Sequence, residues 1–179
     1  MTGVQTYALP IWLRAAEDAG ALAVRLIENP ILPSQIITAA SVENALRVLL
    51  ALGGSTNALI HLTAVAGRRG VKIDLHRLNE LSDSTPVLVD LKPTGQGYME
   101  DFHAAGGMPS LLWELRDLLH LDCIDVTGAP LGERLREPAF VDRRYIRARG
   151  DQDRREHDAH RASGSAHAPL RKRHAILLR

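Results

Sequence analysis

Cysteine occurs once in this 179-residue chain, at Cys123. An internal disulfide is therefore excluded, as is a cluster or zinc site built from this chain's thiols alone. A reducing, cytoplasmic setting is the expectation. Aromatic residues make up only 4%, so any core must be assembled mostly from Leu, Val, Ile and Ala. No run of about 18 apolar residues exists, and the N-terminus lacks the basic start and long apolar stretch of an export signal. Neither membrane span nor export is expected. What is present, 45% hydrophobic and 24% charged residues, is ordinary globular composition and excludes a disordered, collagen-like or coiled-coil polypeptide. A single domain of this length buries roughly 70% of the surface its unfolded chain exposes, so it needs neither disulfide nor metal merely to hold together.

The formal net charge of +1 hides an asymmetry. Residues 142–179 hold 11 Lys/Arg against 5 Asp/Glu, which leaves residues 1–141 with 11 against 16. The tail carries His157, His160, His167 and His174 and shows no apolar periodicity before Ala175–Leu178. Such a composition offers too little apolar surface to offset the entropy of ordering it, and predicts a solvated, poorly ordered segment.

Between Trp12 and Glu28, Leu13, Ala16, Ala19, Ala23, Leu26 and Ile27 recur at helical spacing until Asn29-Pro30 stops the pattern. A second helix is expected from Ser41, with Val42, Ala45, Leu46, Leu49 and Leu52 on one face and Gly53-Gly54 at its end. Ser55, Thr56 or Asn57 caps a third, which runs to about Gly67–Gly70, and Asp74 to Leu81 make a short fourth. The β-branched run from Pro86 to Leu91 reads as a buried strand. A short helix around Met99 to Ala105 follows, broken by Gly106-Gly107, and then a helix with Pro109 as its first residue. A second strand over Cys123 to Val126 and a helical turn at Leu131 to Leu135 complete the pattern. Helices alternating with short buried strands imply an α/β layer, although two strands do not make a whole sheet.

Two constellations could carry chemistry. Gly53-Gly54-Ser55-Thr56-Asn57-Ala58 sets small hydrogen-bonding side chains at a helix N-terminus, where free amides and the helix dipole favour a carboxylate or phosphate. The same residues also describe a plain helix break followed by a cap, the commoner use of that pattern. The second constellation puts Asp90, Lys92, Glu100, Asp101 and His103 near the C-terminal end of the expected strand, where open α/β sheets bind ligands. Here again an ordinary reading exists, because Glu100-Asp101 in a first helical turn complements the dipole without chemistry.

In their order and spacing, the Glu43-Asn44-Ala45 triplet, the GGSTNA run, PVLVDLKPTG, MEDFHAAGGMP and the stretch ValThrGlyAlaProLeuGlyGluArgLeu resemble the dihydroxy-acid dehydratase and phosphogluconate dehydratase family, which includes sugar-acid dehydratases. The resemblance covers about residues 14–147 and implies an interior slice of a much longer protein. It implies the fold of a partial helix-flanked sheet from the family's large N-terminal α/β domain over 12–147; the basic tail over 148–179 departs from the family pattern and is expected to be poorly ordered or the product of a reading-frame slip. Residues 1–11 resemble translated adapter sequence and are expected to be foreign.

The activity implied is that of a hydro-lyase of branched-chain amino-acid biosynthesis, which dehydrates a 2,3-dihydroxy acid to a 2-keto acid; an aldonic or sugar-acid dehydratase is the alternative. The resemblance implies an iron–sulfur cluster as Lewis acid at the departing hydroxyl. It also implies a magnesium ion on the carboxylate and 2-hydroxyl, and a serine that takes the proton. The family's Cys-Asp-Lys motif and its Gly-Arg-Phe-Ser-Gly stretch are both absent from this chain, and Cys123 lies in the wrong segment. No catalytic and no metal-ligating residue is therefore carried over, neither cofactor is expected to bind this fragment, and it is expected to be inactive alone. Only Ser55, Thr56 and Asn57 match family positions on the substrate side, and they stand as substrate-binding candidates. The implied partners are a small hydroxy-acid substrate and, for the full-length family, further copies in a homo-oligomer. Two readings from other classes are a nucleic-acid-binding protein using the basic tail and an α/β scaffold without chemistry. A slice lacking neighbouring strands is also expected to expose sheet edges and apolar helix faces, and so to aggregate.

Overall fold

Helix caps set the frame of the chain, seen here in a computed structural model that describes residues 5–92 and 95–150, with side chains from Trp12 onward. Helix α1 spans Gln5–Glu28 and starts earlier than the apolar pattern indicates, and a single helical turn, α2, covers Pro33–Ile36. Helix α3, Ala39–Ala51, begins with a reciprocal cap: Thr38 Oγ1 accepts from Ser41 N at 3.2 Å while Ser41 Oγ accepts from Thr38 N at 2.9 Å. It ends where the sequence says it should. Gly54 N donates to Leu49 O at 2.9 Å and Gly53 N to Leu50 O at 3.0 Å, with Gly53 at φ 64°, the double bond of a Schellman turn. A side chain at Gly54 would collide with that of Leu49.

Helix α4, Thr56–Arg68, follows with Ser55 at its N-cap, and α5, Leu75–Ser84, is capped by Asp74, whose carboxylate accepts from His76 N at 2.9 Å. Then come α6, Met99–Ala104, and α7, Gly107–Leu115, which runs into a 3₁₀ turn over Arg116–Leu118, and the single turn α8, Leu131–Arg134. Helix α7 starts two residues before Pro109. Proline is accommodated there because the first N–H groups of a helix have no intrahelical acceptor to lose.

The expected α/β class does not hold. Among the described residues there is no sheet, only isolated bridges pairing Val89 with Ile146, Leu91 with Gly97 and Ile124 with Pro130. The segment from Pro86 to Leu91 is extended and buries Leu88, Val89 and Leu91 as its composition requires, but its backbone bonds scatter. Leu88 N and Val89 N both donate to Ala51 O, Asp90 N donates to Tyr145 O, and Arg147 N returns to Leu88 O. Hydrophobic β-branched sequence specifies burial and an extended chain, whereas a ladder needs a second strand in register. The expected strand from Cys123 to Val126 is likewise one arm of a tight turn, held by Asp125 N to Ala129 O at 3.1 Å and Leu131 N to Cys123 O at 2.8 Å.

Helix α3 is the hub. Val42, Leu46 and Leu50 pack with Ala66 of α4 and with Leu78 and Leu81 of α5 into one buried cluster. Ala51 belongs to a second cluster with Leu88, Phe102, Leu111, Leu115 and Ile146. Each such leucine contributes about 1.5–3 kcal/mol through burial.

Helix α1 stands apart. Trp12, Leu13, Val24 and Ile27 fall within about 120° of arc at the α-helical repeat, and all four are more than half exposed. Only Leu22 and Leu26, on a different arc, are half-buried. Residues 151–179, on which most of the expected tail falls, and residues 1–4 of the expected foreign segment lie outside the described residues.

Candidate functional site

The turn that launches α4 is the first place to look. Ser55 is extended at φ −85°, ψ 158°, and makes no side-chain capping bond; its carbonyl accepts from Ala58 N at 3.1 Å. Ser55, Thr56 and Asn57 are all exposed. The structure therefore presents the three substrate-binding candidates together, at solvent, on the first turn of a 13-residue helix. Directly beside this turn lies an apolar groove of about 580 Å³, lined by Val48 and Leu49 from α3, by Leu52 just after it, and by Ala58, His61 and Leu62 from α4. Helical spacing explains it: both helices turn apolar residues toward each other at their facing ends, and nothing among the described residues fills the gap between them.

The second constellation is only partly assembled. Asp90 Oδ1 accepts from Gln96 N at 3.1 Å, and Asp90 Oδ2 lies 3.8 Å from the Arg147 guanidinium. The Lys92 ammonium bonds to the Tyr98 hydroxyl and sits 4.0 Å above the ring centroid. Asp101 is used structurally, its carboxylate accepting from Tyr98 N at 2.8 Å to cap α6. Glu100 and His103 stand exposed on α6. Of the five residues expected at one strand end, Asp90, Lys92 and Asp101 go respectively to a loop bond, an ammonium–ring contact and a helix cap, and Glu100 and His103 stand exposed.

A third cluster escaped residue-by-residue reading. The Glu43 carboxylate accepts from Arg77 at 3.1 Å, and lies 3.4 Å from both Arg47 and the His120 ring. Burial pushes its pKa up, but the bond and charge of Arg77, aided by His120 and Arg47, outweigh this and hold it below the ordinary value. Beside it Asn44, buried, donates to His120 O at 2.9 Å and accepts from His120 N at 2.8 Å. Arg47 continues the network to Ser84 and Thr85. These groups bind three distant segments together, so the Glu43-Asn44 pair acts as a structural clasp. The only signal in the sequence was its place in the family-like triplet.

Neither implied cofactor fits these residues. Cys123 is half-buried, and burial together with the charge of Asp122 pushes its thiol up, the opposite of what a metal-binding thiolate requires. Among the described residues no group of three or more His, Cys, Asp or Glu side chains is placed to hold a metal ion.

Residues 9–134 match the family model described as dihydroxy-acid/6-phosphogluconate dehydratase, N-terminal, and the chain belongs to that family. Its curated relatives include dihydroxy-acid dehydratases. The one from Caldicellulosiruptor saccharolyticus is 43% identical over 137 residues, covering 75% of this chain and 25% of the relative. That from Cytophaga hutchinsonii is 48% identical over 120 residues, 66% of this chain and 21% of the relative. A third, from Haloarcula marismortui, is 43% identical over 124 residues, 68% of this chain and 22% of the relative. The chain spans about a quarter of the length of the first of these relatives.

Proposed function

We propose that this chain is the helical scaffold portion of a hydro-lyase that removes water from a 2,3-dihydroxy carboxylic acid to give a 2-keto acid, and that it is inactive by itself. The observation that carries this reading is the identity of 43% over 137 residues to a dihydroxy-acid dehydratase; among the described residues no group of three or more His, Cys, Asp or Glu side chains is placed to hold a metal ion. In such a reaction hydroxide leaves carbon 3 and a proton leaves carbon 2; the enol so formed rearranges to the ketone. Both departures need developing charge to be stabilised, and this chain's described residues offer neither a metal site nor a base aimed at a common point. What they offer is the polar turn at Ser55, Thr56 and Asn57. Its hydroxyls, amide and first-turn N–H groups suit a substrate carboxylate, and it is held rigid by the Gly53-Gly54 turn and the α3–α4 packing.

A second substrate class, aldonic or phosphorylated sugar acids, is favoured by the family model, whose description names 6-phosphogluconate. The nucleic-acid reading depends on residues 148–179, nearly all outside the described part, and gains no support from the residues that are described.

Exchange is the test. This chain's residues 9–134, the stretch matched by the family model, replace the corresponding stretch in the Caldicellulosiruptor saccharolyticus relative, and the chimaera is assayed with 2,3-dihydroxyisovalerate and with 6-phosphogluconate. Turnover of the first, lost or sharply reduced in a Ser55→Ala, Asn57→Ala variant that still melts cooperatively, is expected. A folded chimaera without activity on either acid contradicts the reading.

A further inference from the structure

Along the exposed arc of α1, Leu13, Ala16, Gly20, Ala23 and Ile27 recur at steps of three, four, three and four residues, the spacing that keeps one seam of a helix turned toward a partner helix. All five are exposed, and nothing lies within 4 Å of where a side chain at Gly20 would begin. Sizes along the seam read the same from either end: one bulky residue at each limit and three small ones between. A seam of that kind is complementary to its own reverse. An antiparallel copy sets the Leu13 end against the Ile27 end, and at the centre Ala16, Gly20 and Ala23 let the two backbones close up. The flanks choose the same direction. One flank carries Leu22 and Leu26, already half-buried, whereas the other carries Arg14, Glu17 and Glu28 at solvent. Antiparallel helices bring like flanks together, which places Arg14 of one copy near Glu28 of the other, twice by symmetry. Neither residue forms an ion pair among the described residues. A parallel copy would instead lay the charged flank on the half-buried apolar one and leave both charges without a partner.

We propose that the apolar seam of α1 is a docking surface for the α1 of a second copy of this chain, the two helices running antiparallel about a twofold axis at Gly20 and joined at their edges by Arg14 and Glu28. Such a pair is isologous and closed, so association stops at two copies. The seam from Leu13 to Ile27 is about 22 Å long at the helical rise. That length gives an interface well below the size of a stable dimer, so the chain is single in dilute solution and paired when concentrated. The stability of the dilute chain therefore does not register the seam. This inference stands apart from the dehydratase reading, since it uses no residue of the Ser55–Asn57 turn and no chemistry.

Sedimentation velocity on the full chain across a concentration series tests the pairing, with a reversible shift from one copy to two expected and no larger species. Gly20→Glu sets two carboxylates face to face in the middle of the seam and should weaken association by about tenfold or more. At this exposed site the substitution raises helix propensity, so it does not threaten the fold. Direction is read separately. Leu13→Cys and Ile27→Cys, each combined with Cys123→Ser and carrying different mass tags, are mixed at high concentration and joined with a short bis-maleimide. Products linking position 13 to position 27 should dominate, because equivalent positions lie roughly 20 Å apart in the antiparallel pair. An excess of 13–13 and 27–27 products means a parallel pair and overturns the proposal. So does association that Gly20→Glu leaves unchanged. A chain that stays single at every concentration overturns it as well, and gives the α1 face to a different occupant, such as the rest of a family-length protein. None of these readouts involves dehydration, so failure here and failure of the hydro-lyase reading are distinguishable.

Discussion

Helices α1 and α3 have similarly amphipathic sequences and opposite fates. Helix α3 buries Val42, Leu46, Leu50 and Ala51 between two clusters, whereas α1, at 24 residues the longer by far, leaves Trp12 71% and Ile27 80% exposed. Apolar periodicity states that a helix has a face to bury; it says nothing of whether the partner belongs to the same stretch of chain. The difference is that α3 finds described partners on both of its sides, whereas the apolar arc of α1 meets none among the described residues.

The contrast can be broken most forcefully at the centre of α3's surroundings. Leu111→Ala, at a side chain with no exposure, should lower stability by about 2–5 kcal/mol in denaturant melts. A loss below about 1 kcal/mol would show that this cluster is not a packed core. Next comes the clasp. Asn44→Ala strips both partners from the His120 backbone, and a loss of about 1–3 kcal/mol is expected by the same measurement.

A smaller effect concerns acid. Because the folded protein holds Glu43 below its ordinary pKa, the folded state binds that proton less readily than the unfolded state does. The stabilisation is present above the unfolded carboxylate value, about 4.3, and is lost as pH falls through the lower folded value. Glu43→Gln should therefore flatten part of the acid limb of a stability–pH profile; an unchanged limb would deny Glu43 its role. Smallest of all, Ile27→Ala on α1 should change the stability of the chain by no more than about 0.5 kcal/mol, and a larger loss would mean that α1 does pack on the body.

Local chemistry was legible wherever one short segment decides the outcome. Gly53-Gly54 ends α3 through bonds reaching back three and five residues, and Asp74 opens α5 by accepting from the amide two residues on, so both boundaries could be read directly. Non-local pairing was not legible. Pro86 to Leu91 displays the residues of a buried strand, yet it pairs through only two isolated bridges, Val89 with Ile146 and Leu91 with Gly97. The Glu43–Arg77–His120 clasp joins positions 34 residues apart and more, a proximity that no spacing rule reports. The candidate turn at Ser55 to Asn57 was placed from its motif, and the groove beside it emerged only once α3 and α4 were seen together.

The most direct measurement is made on the isolated chain, purified without oxygen after incubation with iron, sulfide and magnesium and then assayed for bound iron and for keto-acid formation from 2,3-dihydroxyisovalerate. The account predicts no stoichiometric iron and no product. Iron retained at one cluster per chain, accompanied by turnover, would contradict it outright.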